Sequence, residues 1–367
     1  MIKHKILAVV IPALIAAGAA NAEEIYNKDG NKINLYGTIN LHNRFSKNQN
    51  NEDDKSYLRF GLKAESQITD LLTSYGQWEY NIQTNLPEIG DTSGSQTRLG
   101  FAGIKFSDYG TIDYGRNYGI GYDPISWTNI LPASGGNAAY SDNGMVGRSN
   151  DLVTYRNSNL FGLLDGFDFA LQYQRKHSSN TTPHNIRTEN GSGIGSSITY
   201  KNPVGVAVSA AYTHADRTKH QEDAFFSKGK KTAETWTTAM KYDANNVYIA
   251  AMYGETRNNT YIKTISGSTT HEGMVAKEQK FEAVAQYQSD CGLRPSLAYL
   301  QSIGKHIQTH GKQDLYKYID LATYYNFNSK LLTYVDYKIN LLDKNEFTSQ
   351  ASITTDDTVG VGLIYQF

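Results

Sequence analysis

Hydrophobic and polar residues alternate with a period of two along most of this chain. The pattern recurs in 39–45, 77–82, 331–341 and 359–367, with Ile364 as the one exception in the last segment. Residues that alternate in this way predict strands with one apolar face. A strand in a soluble β-sandwich alternates too, so a single segment does not indicate a barrel. The indication comes from the repetition of the pattern along the whole chain, because no segment with a helical period interrupts it.

Turn signals divide the alternating segments into hairpins. Successive turns are roughly forty residues apart, with one longer gap, which suits two strands of about ten residues and one longer loop. Seven turns separate eight hairpins and so predict sixteen strands. The turns are centred near Asp70, Asp108, Asp165, Asn202, Asn245, Cys291 and Asn328.

An even strand number, with short turns on one side and long loops on the other, is typical of bacterial transmembrane barrels. Closure removes the sheet edges, which lipid does not tolerate. At sixteen strands the lumen is too wide for side chains to fill, so it holds water. The pattern therefore predicts an all-β fold, a 16-stranded antiparallel transmembrane β-barrel, over residues 23–367.

The longest gap lies between Arg116 and Arg148 and contains Pro124, Pro132 and Gly135-Gly136. It is too long for an ordinary hairpin loop. Such a segment either projects into solvent or folds into the lumen, where water can satisfy its backbone groups. The residues alone leave both alternatives open.

The first 22 residues predict a secretory signal that is removed. Lys3 and Lys5 precede an apolar run, which ends at the small-x-small site Ala20-Asn21-Ala22. The run is short for a spanning helix. The mature chain is therefore expected to begin at Glu23 and to reside in the bacterial outer membrane.

Composition agrees with a barrel and excludes several other classes. Mean hydropathy is -0.51 because barrel strands alternate, and the 27 tyrosines suit interfacial girdles. The 35 basic and 36 acidic residues leave no basic excess for nucleic acid. The lone Cys291 excludes an internal disulfide, and the scattered histidines show no metal-ligand spacing. We therefore expect no cofactor and no metal.

Three other functions fit the sequence less well. An enzyme is disfavoured because no Gly-x-Ser-x-Gly or His-Glu-x-x-His motif occurs. An adhesin or wall anchor would favour a narrow, filled barrel of about eight strands. A sugar-selective channel would favour an aromatic ladder in the lumen, whereas the tyrosines mostly fit girdle positions.

Five segments carry a resemblance to a known family. They are Glu24–Lys32, Tyr75–Tyr80, Asp113–Gly119, Tyr155–Ser158 and Gly254–Asn258, and the chain ends in Tyr365-Gln366-Phe367. With these motifs the mature chain resembles the trimeric general diffusion porins of enterobacterial outer membranes. The resemblance implies a homotrimer, passage of small hydrophilic solutes and ions, and contact with outer-membrane lipid and lipopolysaccharide. It also implies that Phe367 is an assembly signal for the barrel-insertion machinery.

The resemblance further implies that the third long loop, roughly Asn117 to Val146, bends inward and narrows the pore. Basic residues on the barrel wall then face this loop, and carried over they are Arg59, Arg98 and Arg148. The alternation agrees for Arg59 and Arg98, which are out of phase with their apolar neighbours. These residues are expected to form the pore constriction.

This sequence departs from the family pattern on the loop side. Neutral residues stand where acids are expected, at Asn129, Ala133 and Asn137, and Thr38 replaces a common wall lysine. Arg44 is expected to add a lumen cation. Uncompensated charge in a narrow passage attracts counter-ions. We therefore hypothesise that the pore has weakened cation selectivity or prefers anions. The alternative is that lumen acids such as Glu79, Asp113 or Asp336 restore the balance of charge in the pore.

The second loop suggests a contact between subunits. Glu88 matches the family position whose acid binds basic residues of a neighbouring subunit, with Arg116 as its partner. The physical reason would be a charge-assisted contact in a partly dehydrated interface. An ordinary exposed loop acid is the alternative.

Overall fold

The computed structural model describes residues 23–47, 53–86, 94–135, 138–142, 144–178 and 185–367. Within these ranges sixteen antiparallel strands form one sheet, closed by pairing of the last strand with the first. The predicted fold is thus confirmed. The barrel strands are β1 Asn31–Ser46, β2 Tyr57–Thr69, β3 Leu72–Gln83, β4 Gln96–Phe106, β5 Thr111–Tyr118, β6 Arg148–Asn157, β7 Phe167–Gln174, β8 Gly193–Lys201, β9 Val206–Asp216, β10 Thr232–Ala244, β11 Val247–Arg257, β12 Lys277–Tyr287, β13 Leu293–Ile307, β14 Gly311–Asn326, β15 Leu331–Asn340 and β16 Thr358–Gln366.

All seven predicted turns fall between consecutive strands at one end of the barrel. The long loops at the other end carry most of the remaining short elements. Among the described residues no helix has the length and apolar character needed to cross a membrane. The remaining elements are the helices α1 Tyr122–Ile125, α2 Asn159–Gly162, α3 Lys219–Asp223 and α4 Glu346–Gln350 and the 3-10 turns Ser107–Tyr109 and Phe225–Ser227. Two short strands, Glu23–Lys28 and Asp53–Asp54, extend the barrel sheet by pairing with β1, and Tyr261–Ser266 and Thr269–Met274 form a separate hairpin.

Both ends of the chain pair with β1. The N-terminal strand Glu23–Lys28 lies along the first residues of β1, and β16 lies along the rest. Phe367 continues β16 by two backbone hydrogen bonds with Gly37, of 2.8 and 3.0 Å. A side chain at Gly37 would collide with the Phe367 ring, because its Cβ would lie 2.4 Å from Cζ. The C-terminal aromatic residue therefore helps to complete barrel closure.

The alternation places apolar side chains on the outside of the barrel. Leu41, Trp78, Leu297 and Leu321 are among the large exposed apolar residues. Ile364, the exception in the last segment, is buried on the lumen side. Tyrosines occupy both faces, so the girdle interpretation describes only part of them. The buried tyrosines of the described chain are Tyr36, Tyr248, Tyr318, Tyr324 and Tyr334.

The third loop, described at residues 119–135, 138–142 and 144–147, folds into the lumen. Ile125 and Val146 are fully buried against Ala239 and Met252 of the barrel wall. A second cluster packs Ile130 and Leu131 on side chains of β11 to β14. The inward alternative that the sequence left open is thus the observed one. Burial of apolar loop residues supplies the driving force.

Candidate functional site

A cavity lies between the inward third loop and a part of the barrel wall formed by β1, β2, β4, β16 and the adjoining ends of β5 and β6. We call it the constriction. None of the described residues that line this cavity is an aspartate or a glutamate. Three are arginines, which we call the arginine wall: Arg59, Arg98 and Arg148. The other lining residues are Thr38, Asn40, Tyr57, Tyr118, Tyr122, Asn129, Leu131, Pro132, Ala133, Gly135, Ala139, Ser141, Gly147, Ile364 and Gln366.

Neighbouring aromatic rings and one carboxylate hold the arginine wall in place. The Arg59 guanidinium lies 4.7 Å from the centre of the Tyr57 ring, and Arg148 lies 5.8 Å from that of Tyr118. Rings at these distances attract a cation without neutralising it. Arg98 donates from Nε to Glu79 Oε1 at 2.6 Å. Strand alternation brings Arg59 to the lumen side, as the sequence predicts. Leu99 and Phe101 pair with the lumen-facing Glu79 and Gln77, so the predicted phase of β4 is wrong, and a β-bulge between Thr97 and Leu99 brings Arg98 to the lumen instead.

Glu79 is the only carboxylate within ion-pair distance of the arginine wall among the described residues. It is buried, and it also accepts a hydrogen bond from Tyr36 at 3.1 Å. Its Oε1 lies 4.0 Å from Arg59 Nε. Arg59 and Arg98 therefore share one negative charge, whereas Arg148 has no carboxylate within ion-pair distance among the described residues.

Two other lumen acids that could balance this charge are hydrogen-bonded to neighbouring side chains. Asp113 accepts hydrogen bonds from Tyr75 and Asn117, each at 3.0 Å. Asp336 accepts one from Ser134 at 3.1 Å. Neither acid is among the residues that line the constriction.

Two acids of the third loop are also engaged elsewhere. Asp123 binds Arg156 with two hydrogen bonds of 2.9 and 3.0 Å, and it accepts a third from Ser197 at 2.6 Å. Asp142 binds Arg116 at 2.5 Å. Both carboxylates therefore fasten the loop to the barrel and leave the cavity without a facing negative charge.

The loop side of the cavity is neutral where it is described. Asn129 is buried and donates from Nδ2 to the Tyr122 hydroxyl at 2.9 Å. Ala133 lies against the last barrel strand, so close that a Cβ on Gly360 would come within 2.9 Å of its Cβ. Asn137 and Glu88 lie outside the described residues.

The remaining predicted site residues are spread over the barrel. Thr38 lines the cavity, but Arg44 does not. The Arg44 guanidinium is 2.9 Å from Asp53, which also binds Lys55 at 2.8 Å. Burial raises the pKa of Asp53, but the hydrogen bonds and charges of Lys55 and Arg44 outweigh it and lower the pKa below 3.8. Arg44 is thus partly neutralised at neutral pH.

Arg116 has partners within its own chain. It donates to Asp142, to Asn150 at 2.9 Å and to the Thr97 carbonyl at 3.1 Å. It follows Ile112 and Tyr114 on the outward-facing side of β5. This position on the barrel exterior is compatible with a subunit contact.

A second cluster of charges lies behind the third loop, and sequence reasoning missed it. We call Glu278, Lys280 and Glu282 the anchor wall. They occupy alternate positions of β12 and are all buried. The signal was present, since three charged residues facing one side of a barrel strand must point into the lumen. The strand pattern does not reveal that the loop covers them.

The anchor wall holds the loop through hydrogen bonds. Thr128 donates to Glu282 at 2.6 Å, and Tyr140 donates to Glu278 at 3.0 Å. Lys280 donates to the Ala138 carbonyl at 3.1 Å and lies 3.3 Å from Glu278. Buried charges are tolerated when they are paired and hydrogen-bonded in this way.

The comparisons with known proteins agree over the whole chain. The family model described as Gram-negative porin matches residues 28–367. Outer membrane protein F of Serratia marcescens is 54% identical, and outer membrane porin C of Salmonella typhimurium is 50% identical, each with 100% of both chains covered.

A solved structure, Salmonella typhi OmpF in complex with daunomycin, is 43% identical and superimposes with a TM-score of 0.87. It covers 94% of this chain and 100% of its own. Sixteen closed strands, an inward third loop and this similarity define a water-filled channel for passive diffusion in the bacterial outer membrane, rather than an enzyme. The chain belongs to the Gram-negative porin family.

Proposed function

We propose that this porin passes small hydrophilic solutes and favours anions over cations. The observation that carries the proposal is the lining of the constriction, which contains three arginines and, among its described residues, no carboxylate. Fixed charge of one sign in a narrow passage with low-dielectric walls raises the local concentration of the opposite ion. Arginine remains charged at all accessible pH values, so the preference persists from acid to alkaline solution.

Reversal potentials across a planar bilayer in a KCl gradient test this proposal. A potential whose sign reports chloride as the more permeant ion supports it. A clear preference for potassium contradicts it. Repeating the measurement at 1 M salt provides a control, because the Debye length falls to about 3 Å and the preference should shrink.

The proposed assembly is a homotrimer with contacts between Glu88 of one subunit and Arg116 of the next. Support comes from the outward position of Arg116 on β5. Replacing Glu88 with glutamine should lower the dissociation temperature of the trimer, measured by native electrophoresis. Equal dissociation temperatures would contradict the contact, and a monomer at all temperatures would contradict the trimer.

The proposed lipid partners are outer-membrane lipids, including lipopolysaccharide. Support comes from outward-facing cations at the loop end of neighbouring strands, Arg257 on β11 and Lys277 on β12. Lys277 lies 2.6 Å from Glu255. Co-purification of lipopolysaccharide should fall in a variant with glutamine at both cationic positions. Unchanged lipid content would contradict this site.

Two further proposals concern maturation. Residues 1–22 are a signal that is removed, which N-terminal sequencing of the purified protein tests by a first residue at Glu23. Phe367 is read by the barrel-insertion machinery. Deleting Phe367 should reduce the amount of folded barrel in the outer membrane, whereas exchange for tyrosine should preserve it.

A further inference from the structure

We infer that the constriction is a binding site for a small tetrahedral oxoanion with two negative charges, such as monohydrogen phosphate or sulfate. The inference rests on the proposed anion preference and goes further, because it assigns a bound state and a ligand charge. It follows from the charge balance of the arginine wall, from the stereochemistry of its donors and from the neutral loop that faces it.

The charge balance selects a dianion. Three arginines contribute three positive charges, and Glu79 contributes one negative charge, so two positive charges remain. The third loop offers no described carboxylate to the cavity. A monovalent anion would leave one positive charge uncompensated, whereas a dianion neutralises the site. Opposite charges attract more strongly in a narrow protein passage than in bulk water.

The donors match a tetrahedral oxoanion. A guanidinium group presents a planar fork of N–H donors that binds phosphate or sulfate oxygens in pairs. The Nε atoms of Arg59 and Arg148 are buried and make no hydrogen bond in the structure. Tyr57 and Tyr118 hold these two side chains against aromatic rings. Less side-chain freedom is therefore lost when the anion binds.

Neutral donors complete the cavity. Asn40 donates to the Tyr57 hydroxyl at 3.2 Å, so the phenol hydrogen of Tyr57 can be donated to an anion. Asn129 lies across the cavity, where it presents an amide rather than a carboxylate. A dianion therefore meets no fixed negative charge from the described loop as it enters.

Chloride conductance provides the measurement. Single channels are recorded in a bilayer of neutral lipid at constant KCl, with sulfate, phosphate or acetate added at matched ionic strength. A bound dianion should occupy the passage and lower chloride conductance by about half at millimolar sulfate, while acetate should have little effect. A neutral bilayer removes lipid phosphate as a source of the anion.

The charge of phosphate gives an internal control. Phosphate groups lose their second proton near pH 6 to 7, whereas arginine does not titrate. Phosphate should therefore reduce the conductance at pH 8.5 far more than at pH 5, and sulfate should act equally at both. Equal effects of sulfate, phosphate and acetate would overturn the site.

Two variants locate the effect in the constriction. Arg148→Gln removes one positive charge, and Asn129→Asp adds a negative charge to the loop with almost no change in shape. Each should raise the sulfate concentration for half-block roughly threefold or more. Arg175→Gln provides the control, because Arg175 is an exposed residue bound to Asp151 outside the cavity. Full sulfate block in both test variants would overturn the assignment.

The outcomes separate the two proposals. Potassium preference in the KCl gradient would contradict the anion preference itself. Chloride preference without a selective effect of dianions would leave that preference standing and contradict the binding site alone. If Arg148→Gln fails to fold, the isosteric Asn129→Asp variant still tests whether the dianion binds at the constriction.

Discussion

The arginine wall and the anchor wall are both clusters of charged residues in the lumen, on opposite sides of the third loop, with different results. At the arginine wall Arg59 and Arg98 share Glu79, and all three arginines line the cavity. At the anchor wall Lys280 lies close to Glu278, and hydroxyl groups and a loop carbonyl satisfy the cluster. The arginine wall keeps an excess of positive charge at the cavity, which acts on passing ions, whereas the paired and hydrogen-bonded charges of the anchor wall hold the loop. Net charge and pairing therefore separate selectivity from scaffolding.

Removing the cation of the anchor wall should have the largest effect on stability and conductance. Lys280→Met leaves Glu278 and Glu282 buried without their cation, which costs about 3–5 kcal/mol. The third loop should loosen, so we expect a lower unfolding temperature and a larger, noisier single-channel conductance. Lys305→Met, at a half-exposed position of β13, is the control. Identical behaviour of the two variants would contradict an anchoring role.

A smaller loss should follow from removing one loop hydrogen bond. Thr128→Val preserves the shape of the side chain but leaves a buried Glu282 oxygen without its 2.6 Å donor. The expected loss of stability is about 1–3 kcal/mol, measured by thermal unfolding. Conductance should rise less than in Lys280→Met. A variant as stable as the parent would show that this bond does not hold the loop.

At the arginine wall, changes should appear in selectivity rather than in stability of the loop. Glu79→Gln removes the one nearby carboxylate and raises the net charge of the cluster from two to three. The chloride-to-potassium permeability ratio should rise by about twofold, measured from reversal potentials. Glu65→Gln is the matched control, because Glu65 is an exposed glutamate on the lumen side of the neighbouring strand β2. An unchanged ratio in Glu79→Gln would contradict the charge balance.

The smallest effect is expected at Arg44, because Asp53 already offsets its charge. Arg44→Gln should change the permeability ratio by less than half as much as Arg59→Gln. Since the pKa of Asp53 is lowered, the pair is fully formed above the ordinary aspartate pKa and is lost only as the pH falls through the lowered value. Equal effects of the two substitutions at neutral pH would place Arg44 in the constriction.

Much of the barrel was predictable because its signals are local. The side chain period of a strand is two, so alternation assigns Arg59 to the lumen. Arg98 reaches the lumen through a β-bulge, which the alternation does not show. The turn residues likewise locate all seven short connections. Ile364 breaks the pattern because its inward side chain packs with buried residues of β14 and β15, with Ala133 of the third loop against the same cluster.

The chemistry of the constriction was only partly predictable. The sequence shows that Asn129 and Ala133 are neutral, but it does not show that Asp123 and Asp142 are turned away toward Arg156 and Arg116. The sequence also does not show that Glu79 pairs with two arginines. These pairings join residues that are far apart in the chain.

The sequence by itself determined the strands, their number, the turns and the side of the barrel that most strand residues face. Only the tertiary structure decided that the third loop folds inward, that Lys280 is buried behind it and that the passage is lined by arginines without a described acid. The physical reason is the range of the forces involved. Strand periodicity is set by residues that are close in the sequence, whereas burial and charge pairing depend on which distant segments meet in the lumen.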